Sequence, residues 1–295
     1  MKGFCMGTAD VIPGVSGGTM AFILGIYREL IAAIRSFDKD WFIALLRFNI
    51  KEIMARPHFG FLVPLGIGMF AALMFFTRVI HLPKLLHEYP EQIYGLFFGL
   101  IVGSIIALLR GMKDLSNFEY FWIVPGLLLG LLVFNLVPTQ TPESAWFIFL
   151  SGSLAICAMI LPGISGSFIL LILNKYAYIF NAIGYFKFSV LIPFALGAAT
   201  GLLLFSRFLS YLLNRYYRPT ILFITGLLLA SLYVIWPFQQ RVYEVVRDKP
   251  RLISSSPLLP QEFSQSVLLS LLLLGLGLGF VLLVSNLGAA KELQE

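Results

Sequence analysis

The chain has 295 residues, of which 59% are hydrophobic and only 12% are charged. Soluble domains carry about 25% charged residues, so this composition excludes an ordinary soluble protein and favours an integral membrane protein. The formal net charge of +6 suits cytoplasmic loops that face anionic lipid, and no basic run is long enough to bind nucleic acid. Two cysteines in apolar segments predict no disulfide framework, and three histidines without ligand spacing predict no metal site.

The first predicted element is interrupted near the start of the chain. Residues 10–19 read DVIPGVSGGT, and the proline and glycines break any membrane helix there. Irregular backbone at membrane depth persists only where protein or water satisfies its polar groups, so we expect this segment to line a buried or hydrated site. A related LPGISGS lies at 161–167, inside the long apolar stretch 146–173, which predicts two shorter helices joined at the motif.

Between the two motifs lies a loop with a pattern of its own. Residues 36–58 place apolar side chains at helical spacing beside four basic residues, which predicts an amphipathic helix on the membrane surface. The polar stretch 239–265 is predicted to be the longest extracytoplasmic connection. Full spans are predicted wherever an apolar window approaches the bilayer-crossing length of about 20 residues. These windows are 59–76, 93–109, 120–137, 188–213, 221–238 and 267–284.

The two halves of the chain resemble each other. When Pro13 is placed on Pro162, IPGVSGGTMAFILGIY lies over LPGISGSFILLILNKY, and LVPLGIGMFAALMFFTR (62–78) likewise lies over LIPFALGAATGLLLFSR (191–207). Matched Pro, Gly, Ser and Arg are harder to obtain by chance than matched Leu. We therefore predict an all-α polytopic membrane protein, one transmembrane domain over 1–295, with a first repeat at about 1–140 and a second at about 141–295.

Each repeat is predicted to contain a re-entrant helical hairpin and three transmembrane helices. Because three crossings are an odd number, the two repeats would lie inverted in the membrane, an arrangement typical of transporters with broken helices near the midplane. The distribution of loop charges does not choose between a re-entrant hairpin and a full crossing of the motif segments. The length of those segments favours the hairpin.

The broken helices are candidate anion sites. A proline just before a helix leaves the first-turn amides free, and the helix dipole favours negative charge there. Glycines let a ligand approach the backbone, and hydroxyl groups add donors. A tight turn that merely allows close helix packing is the alternative. The substrate-binding candidates are Pro13, Gly14, Ser16, Gly17, Gly18 and Thr19 in the first copy and Pro162, Gly163, Ser165, Gly166 and Ser167 in the second.

Four charged residues complete the set of candidates. Arg78 and Arg207 end matched spans and suit a phosphate, although snorkelling to a lipid headgroup explains either one equally well. Asp10 lies nearest the first motif, where it either exchanges a proton or caps the helix that follows Pro13. Glu29, one turn past the motif helix, is the second proton-coupling candidate. Met159 stands at the place of Asp10 in the second copy, so any such role is asymmetric.

The segments GTADVIPGVSGGTMAFILGIYRELI and LPGISGSFILLILNKYAYI resemble the bacterial polyprenyl-phosphate transporter family, and the resemblance covers nearly the whole chain. It implies a flippase that returns undecaprenyl phosphate to the cytoplasmic leaflet for reuse in wall and surface-glycan synthesis. It also implies a multi-pass protein of the bacterial cytoplasmic (inner) membrane. Ser167 stands where the first copy has Gly18, which argues against a strictly symmetric site. The family's motif positions carry over to Asp10, Pro13, Gly14, Ser16, Gly17, Gly18 and Thr19 and to Pro162, Gly163, Ser165 and Gly166.

Two other functions stay open at this point. A transporter of small anions would use the same helix ends. An integral-membrane polyprenyl-pyrophosphate phosphatase would also have inverted repeats and a PGxS-type turn, but its motif continues with an arginine where this chain has Gly17 or Gly166, and acidic metal-binding pairs are missing. We therefore expect no enzyme and no cofactor. The expected partners are a polyprenyl phosphate lipid, the membrane and protons as the candidate coupling ion.

Overall fold

A computed structural model describes residues 1–11, 16–81, 85–86, 88–112, 114–116, 118–136, 138, 140–246, 249–260, 262 and 264–292. Pro13 and Gly14 of the first motif lie outside the described residues. The regular structure is helical apart from one two-stranded hairpin in the described part of the chain. The predicted helical class is therefore confirmed, although the sequence analysis did not predict the hairpin.

The first half of the chain contains five short helices and then three longer ones. The short helices are α1 (Lys2–Val11), α2 (Gly17–Ile23), α3 (Tyr27–Arg35), α4 (Lys39–Leu46) and α5 (Ile50–Ala55). The longer helices are α6 (Phe59–Met74), which continues as a π-helical turn over Phe75–Val79, α7 (Pro90–Gly111), and α8 (Ile123–Phe134), which follows a 3₁₀ turn at Glu119–Trp122.

The second half follows a similar order of elements. It contains α9 (Ala145–Ile160), α10 (Gly166–Ile172), α11 (Tyr176–Gly184), α12 (Phe188–Arg215), α13 (Tyr217–Val234) and α14 (Gln265–Glu292). The polar connection predicted at 239–265 forms an antiparallel hairpin of β1 (Gln239–Val246) and β2 (Lys249–Pro257). The break predicted within 146–173 is confirmed, because α9 ends at Ile160 and α10 begins at Gly166.

Among the described residues, four helices are long and apolar enough to cross a membrane, namely α7, α12, α13 and the Gln265–Leu283 part of α14. Shorter apolar helices are α6, α9 and the segment formed by the 3₁₀ turn and α8. Helices α10 and α11 meet at 107° across a short break, so this pair is either a broken span or a re-entrant loop. These helices make the chain a multi-pass membrane protein.

The helix packing follows the sequence repeat. Helix α1 packs on α6 as α9 packs on α12, and α7 packs on α14 as α13 packs on α8. One glycine at each crossing permits close approach, because a Cβ there would lie 2.0 to 2.3 Å from a carbonyl oxygen of the partner helix. These glycines are Gly3 in α1, Gly152 in α9, Gly99 in α7 and Gly226 in α13. Equivalent glycines therefore make equivalent crossings, while the inversion of the halves and their boundaries stay predictions.

The single amphipathic helix predicted over 36–58 is wrong, because two helices occupy this segment. Phe48 adopts a φ of 51°, a left-handed conformation that ends α4 before α5 begins. Asp38 and Asn49 then cap the two helices through side-chain oxygens that accept the amides of the third residue along. Leu46, Phe48 and Ile50 remain 73% to 85% exposed, so the segment still presents an apolar face.

The main core surrounds the first motif helix. Met20 and Phe22 of α2 are buried with Ile26 and Tyr27, which lead into α3. The same cluster includes buried side chains of α1, α7, α12 and α13. The described part of the first motif copy, from Ser16 onward, therefore lies inside the helix bundle, where buried polar groups need partners.

Candidate functional site

The two motif copies meet in the interior of the protein. The amide of Gly163 donates a buried hydrogen bond of 2.9 Å to Thr19 Oγ1, and the Tyr27 hydroxyl donates one of 3.1 Å to the Ile160 carbonyl. A Cβ at Gly18 would lie only 2.8 Å from that same carbonyl oxygen. Candidates from both halves of the chain are thus brought together. Tyr27 was not among the predicted site residues. The repeat alignment, in which Tyr27 matches Tyr176, is a signal that could have identified it.

Two first-turn amides of the first copy have side-chain acceptors within the chain. Ser16, in extended conformation, is the N-cap of α2, and its Oγ accepts the Thr19 amide at 3.2 Å. The Gly17 amide donates to Asp10 Oδ1 at 2.6 Å, so a carboxylate from α1 occupies the start of α2. Of the two roles considered for Asp10, capping is therefore confirmed. The Gly17 amide is not free in this structure, because the Asp10 side chain already bonds to it at the helix N-terminus. A substrate contact at Gly17 stays a prediction.

The second copy is built differently. Ser165 is the N-cap of α10, but its side chain caps no amide; its Oγ lies 2.6 Å from Ser167 Oγ instead. Ser165 is half-buried and Ser167 is exposed. Within the described chain, the amides of Gly166 and Ser167 have no acceptor. The second copy therefore presents two hydroxyl groups beside two unpaired amides.

Gly163 gives the second turn its shape. Its φ of +93° lies in the region that favours glycine, and a Cβ there would also lie 2.9 Å from the Leu227 carbonyl oxygen of α13. This conformation aims the Gly163 amide at Thr19 of the first copy. The turn is thus fixed by α13 on one side and by the first motif on the other.

The surface next to the second copy is apolar. Leu171 lies four residues beyond Ser167, on the same face of α10, and is 49% exposed. The ring of Phe168 packs against Phe134 of α8, with centroids 5.5 Å apart. A polar spot with an adjoining apolar face matches a ligand that has an anionic head and an apolar tail.

Arg78 and Arg207 do not lie together. Arg207 lines a cavity between α3 and α12, and the adjoining cavity includes His58, the N-cap of α6. Arg78 lies in the exposed π-helical turn at the far end of α6. At 1.5 Å per residue, the path along α6 from His58 to Arg78 is about 30 Å. One phosphate therefore cannot contact both arginines at the same time.

Glu29 forms none of the hydrogen bonds described between the two motif copies. It is exposed and lines the cavity between α3 and α12 together with Arg28 and Arg35. Its proton-coupling role stays a prediction, as does that of Asp10.

A buried cation lies near the second motif, and no sequence pattern predicted it. Lys175 is 2% exposed, and its Nζ donates to the Thr141 carbonyl at 2.9 Å and lies 5.5 Å from the Tyr178 ring centre. It lies directly before α11, at the bend that follows α10. Lys175 falls on Ile26 in the repeat, so no pattern of matched residues identified it.

Comparison with known proteins agrees with the family resemblance. Residues 6–253 match the undecaprenyl phosphate translocase-like family. A polyprenyl-phosphate transporter of Vibrio cholerae serotype O1 (strain ATCC 39315 / El Tor Inaba N16961) is 38% identical over 240 residues, which cover 81% of this chain and 77% of that protein. A polyprenyl-phosphate transporter of Staphylococcus aureus (strain NCTC 8325 / PS 47) is 31% identical over 259 residues, 80% of this chain and 85% of that protein. No solved structure matches the chain.

Proposed function

We propose that this chain, which belongs to the undecaprenyl phosphate translocase-like family, carries undecaprenyl phosphate across the bacterial cytoplasmic membrane and returns the carrier lipid to the cytoplasmic leaflet. Both curated relatives bear the name polyprenyl-phosphate transporter. The apolar multi-pass architecture supports a substrate that stays in the bilayer.

The phosphate head is proposed to bind at the second motif copy. The observation that carries this proposal is the Ser165 and Ser167 hydroxyl pair, 2.6 Å apart, beside the unpaired amides of Gly166 and Ser167. Hydroxyl and amide donors at a helix start suit a phosphate, whose oxygens accept several hydrogen bonds. The apolar tail would run along the face marked by Leu171. That exposed face favours a lipid over a small anion.

The first motif copy is proposed to hold the second copy in its conformation and to control access to the head site. Thr19 anchors the Gly163 turn, and Asp10 keeps the Gly17 amide occupied. Protonation of Asp10 would weaken its hold on that amide and change the packing beside the second copy. Proton coupling through Asp10 is thus proposed to act on the joint between the copies rather than by direct contact with substrate.

Alternating access is the proposed mechanism. The equivalent helix crossings described above support two related halves, and we propose that these halves are inverted and rock about the two motif segments. Such a movement exposes the head site to one leaflet and then to the other, while the tail remains in lipid. This mechanism needs neither a cofactor nor a covalent step.

Transport can be tested in liposomes that contain the purified chain and undecaprenyl phosphate. Ser165→Ala combined with Ser167→Ala is expected to slow the appearance of the lipid phosphate in the opposite leaflet about tenfold or more, because two hydrogen bonds to a charged group are lost. Ser189→Ala combined with Thr200→Ala removes two exposed hydroxyls of α12 and should leave the rate unchanged.

The same preparation distinguishes the rival functions. Liposomes that pass an inorganic anion but leave undecaprenyl phosphate in its leaflet would support the small-anion transporter. Release of inorganic phosphate from a polyprenyl pyrophosphate would support the phosphatase. Either result would overturn the proposed function.

A further inference from the structure

A basic cavity pair lies between α3 and α12, and none of its lining residues belongs to either motif copy. The two cavities have volumes of about 550 and 690 Å³ and adjoin each other, because Arg35 and Asn214 line both. We call this pair the basic cleft. Its cationic side chains come from two distant parts of the chain, residues 28–39 and 207–215. They are Arg28, Arg35, Lys39, Arg207 and Arg215.

The basic cleft has a surplus of positive charge. Only two carboxylates, Glu29 and Asp38, line it against the five cations. Asp38 does not neutralise the cations of the cleft, because it accepts the Trp41 amide at 2.8 Å and pairs with Arg56 at 3.1 Å. None of the five cations forms an ion pair within the described residues. A concave surface with unpaired charge of one sign attracts an anion.

Neutral partners hold two of the arginines in place. Arg35 donates to Ser210 Oγ at 3.0 Å, and Asn214 donates to the same oxygen at 3.4 Å. The Arg28 guanidinium lies 5.0 Å from the ring centre of Tyr217. These contacts orient the guanidinium groups without neutralising them, which reduces the cost of ordering them around a ligand. Snorkelling of single arginines does not explain cations that converge on one cleft from two helices.

The position of the basic cleft indicates what binds there. Lys39 begins α4, and α4 and α5 carry the exposed apolar side chains of Leu46, Phe48 and Ile50 that suit the lipid surface. The cleft is thus next to the level of lipid headgroups. We propose that it is a second binding site, separate from the motif, for the phosphate monoester head of a lipid at the membrane surface. A phosphate monoester carries about −1.5 to −2 charges at pH 7 and pairs well with guanidinium groups.

A cysteine reporter in the cleft tests this site without a transport measurement. Full-length protein with Cys5→Ser and Cys157→Ser receives Ala32→Cys, at an exposed position of the cleft lining. The rate of modification by a cationic methanethiosulfonate is measured with and without farnesyl phosphate. We expect farnesyl phosphate to protect the reporter, and neutral farnesol to have no effect. A reporter at Leu46→Cys, outside the cleft, should not be protected.

Charge variants then assign the protection to the cleft. Arg35→Gln with Arg215→Gln should raise the farnesyl phosphate concentration needed for protection about tenfold, since two guanidinium contacts are lost. Arg47→Gln with Lys51→Gln, which removes two exposed charges outside the cleft, should leave it unchanged. Protection by inorganic phosphate at equal concentration would identify free phosphate as the source of the bound group. No protection, or equal protection by farnesol, would overturn the proposal.

Only the assignment of a lipid as ligand rests on the proposed function. The cleft proposal and the transport proposal can therefore fail separately. Ser165→Ala with Ser167→Ala should slow lipid transport yet keep protection of the Ala32→Cys reporter. If the protein transports lipid phosphate but the reporter is never protected, the cleft proposal fails alone. If the reporter is protected but no lipid phosphate changes leaflet, the transport proposal fails alone.

Discussion

The two copies of the motif share a sequence but differ in what they do with their hydrogen-bonding groups. In the first copy, the Gly17 amide is bonded to Asp10, and Thr19 accepts the Gly163 amide from the other half. In the second copy, Ser165 and Ser167 bond to each other and face outward, beside amides without acceptors in the described structure. Equivalent positions thus hold the two halves together in the first copy and form an accessible polar surface in the second. Duplication supplies two helix starts, and the surrounding residues decide which one a ligand can reach.

The largest expected effect comes from exchanging the residues that differ at one equivalent position. Gly18→Ser is expected to lower the free energy of unfolding by about 1 to 3 kcal/mol, because a Cβ would lie 2.8 Å from backbone oxygens of α9. Ser167→Gly, the reverse exchange in the exposed copy, should cost about 1 kcal/mol or less, the helix propensity of glycine. Thermal unfolding in detergent measures both. Equal destabilisation by the two exchanges would contradict the difference between the copies.

A second substitution removes the bond that joins the copies. Thr19→Val keeps the side-chain shape but leaves the buried Gly163 amide without an acceptor, which should cost about 1 to 3 kcal/mol. Thr225→Val serves as the control, because the hydroxyl of that buried residue bonds only within its own helix. The readout is again thermal unfolding. A Thr19→Val protein as stable as wild type would show that this bond does not hold the joint.

A third substitution tests the resident carboxylate of the first copy. Asp10→Asn should lower stability by about 1 kcal/mol, because a charged cap is replaced by a neutral one, while Ser165→Ala should have almost no effect on stability since its side chain caps nothing. Transport by Asp10→Asn should also lose its response to pH. A full pH response in this variant would contradict proton coupling through Asp10, whatever its stability.

The smallest expected effect concerns the matched arginines. Arg78→Gln and Arg207→Gln should each weaken lipid-phosphate binding by about 1 kcal/mol or less, as for exposed ionic contacts. Their effects should add to within about 0.5 kcal/mol in the double variant, because the two residues share no partner. Binding measured across all four proteins gives the coupling directly. A larger coupling would mean that both arginines contact one phosphate.

Helix breakers and apolar windows are local signals, and they predicted what depends on local chemistry. The glycines and proline of 161–167 placed the break between α9 and α10, and the low charge content predicted a helical membrane protein. The turn at Phe48, which divides 36–58 into two helices, was missed because a phenylalanine in left-handed conformation has no sequence signature.

Which polar groups stay available was decided by the tertiary structure. The hydrogen bond between Asp10 and the Gly17 amide could not be predicted from the chain alone, because it depends on how α1 packs beside α2. Arg35 and Arg215 carry no motif, and they share a cleft only because α3 packs on α12. Periodicity and helix breakers act over a few residues, so the sequence determined where the helices stop. Some partners of the polar groups at those ends lie more than 130 positions away, as the Gly163–Thr19 and Tyr27–Ile160 hydrogen bonds show, and only folding brings them together.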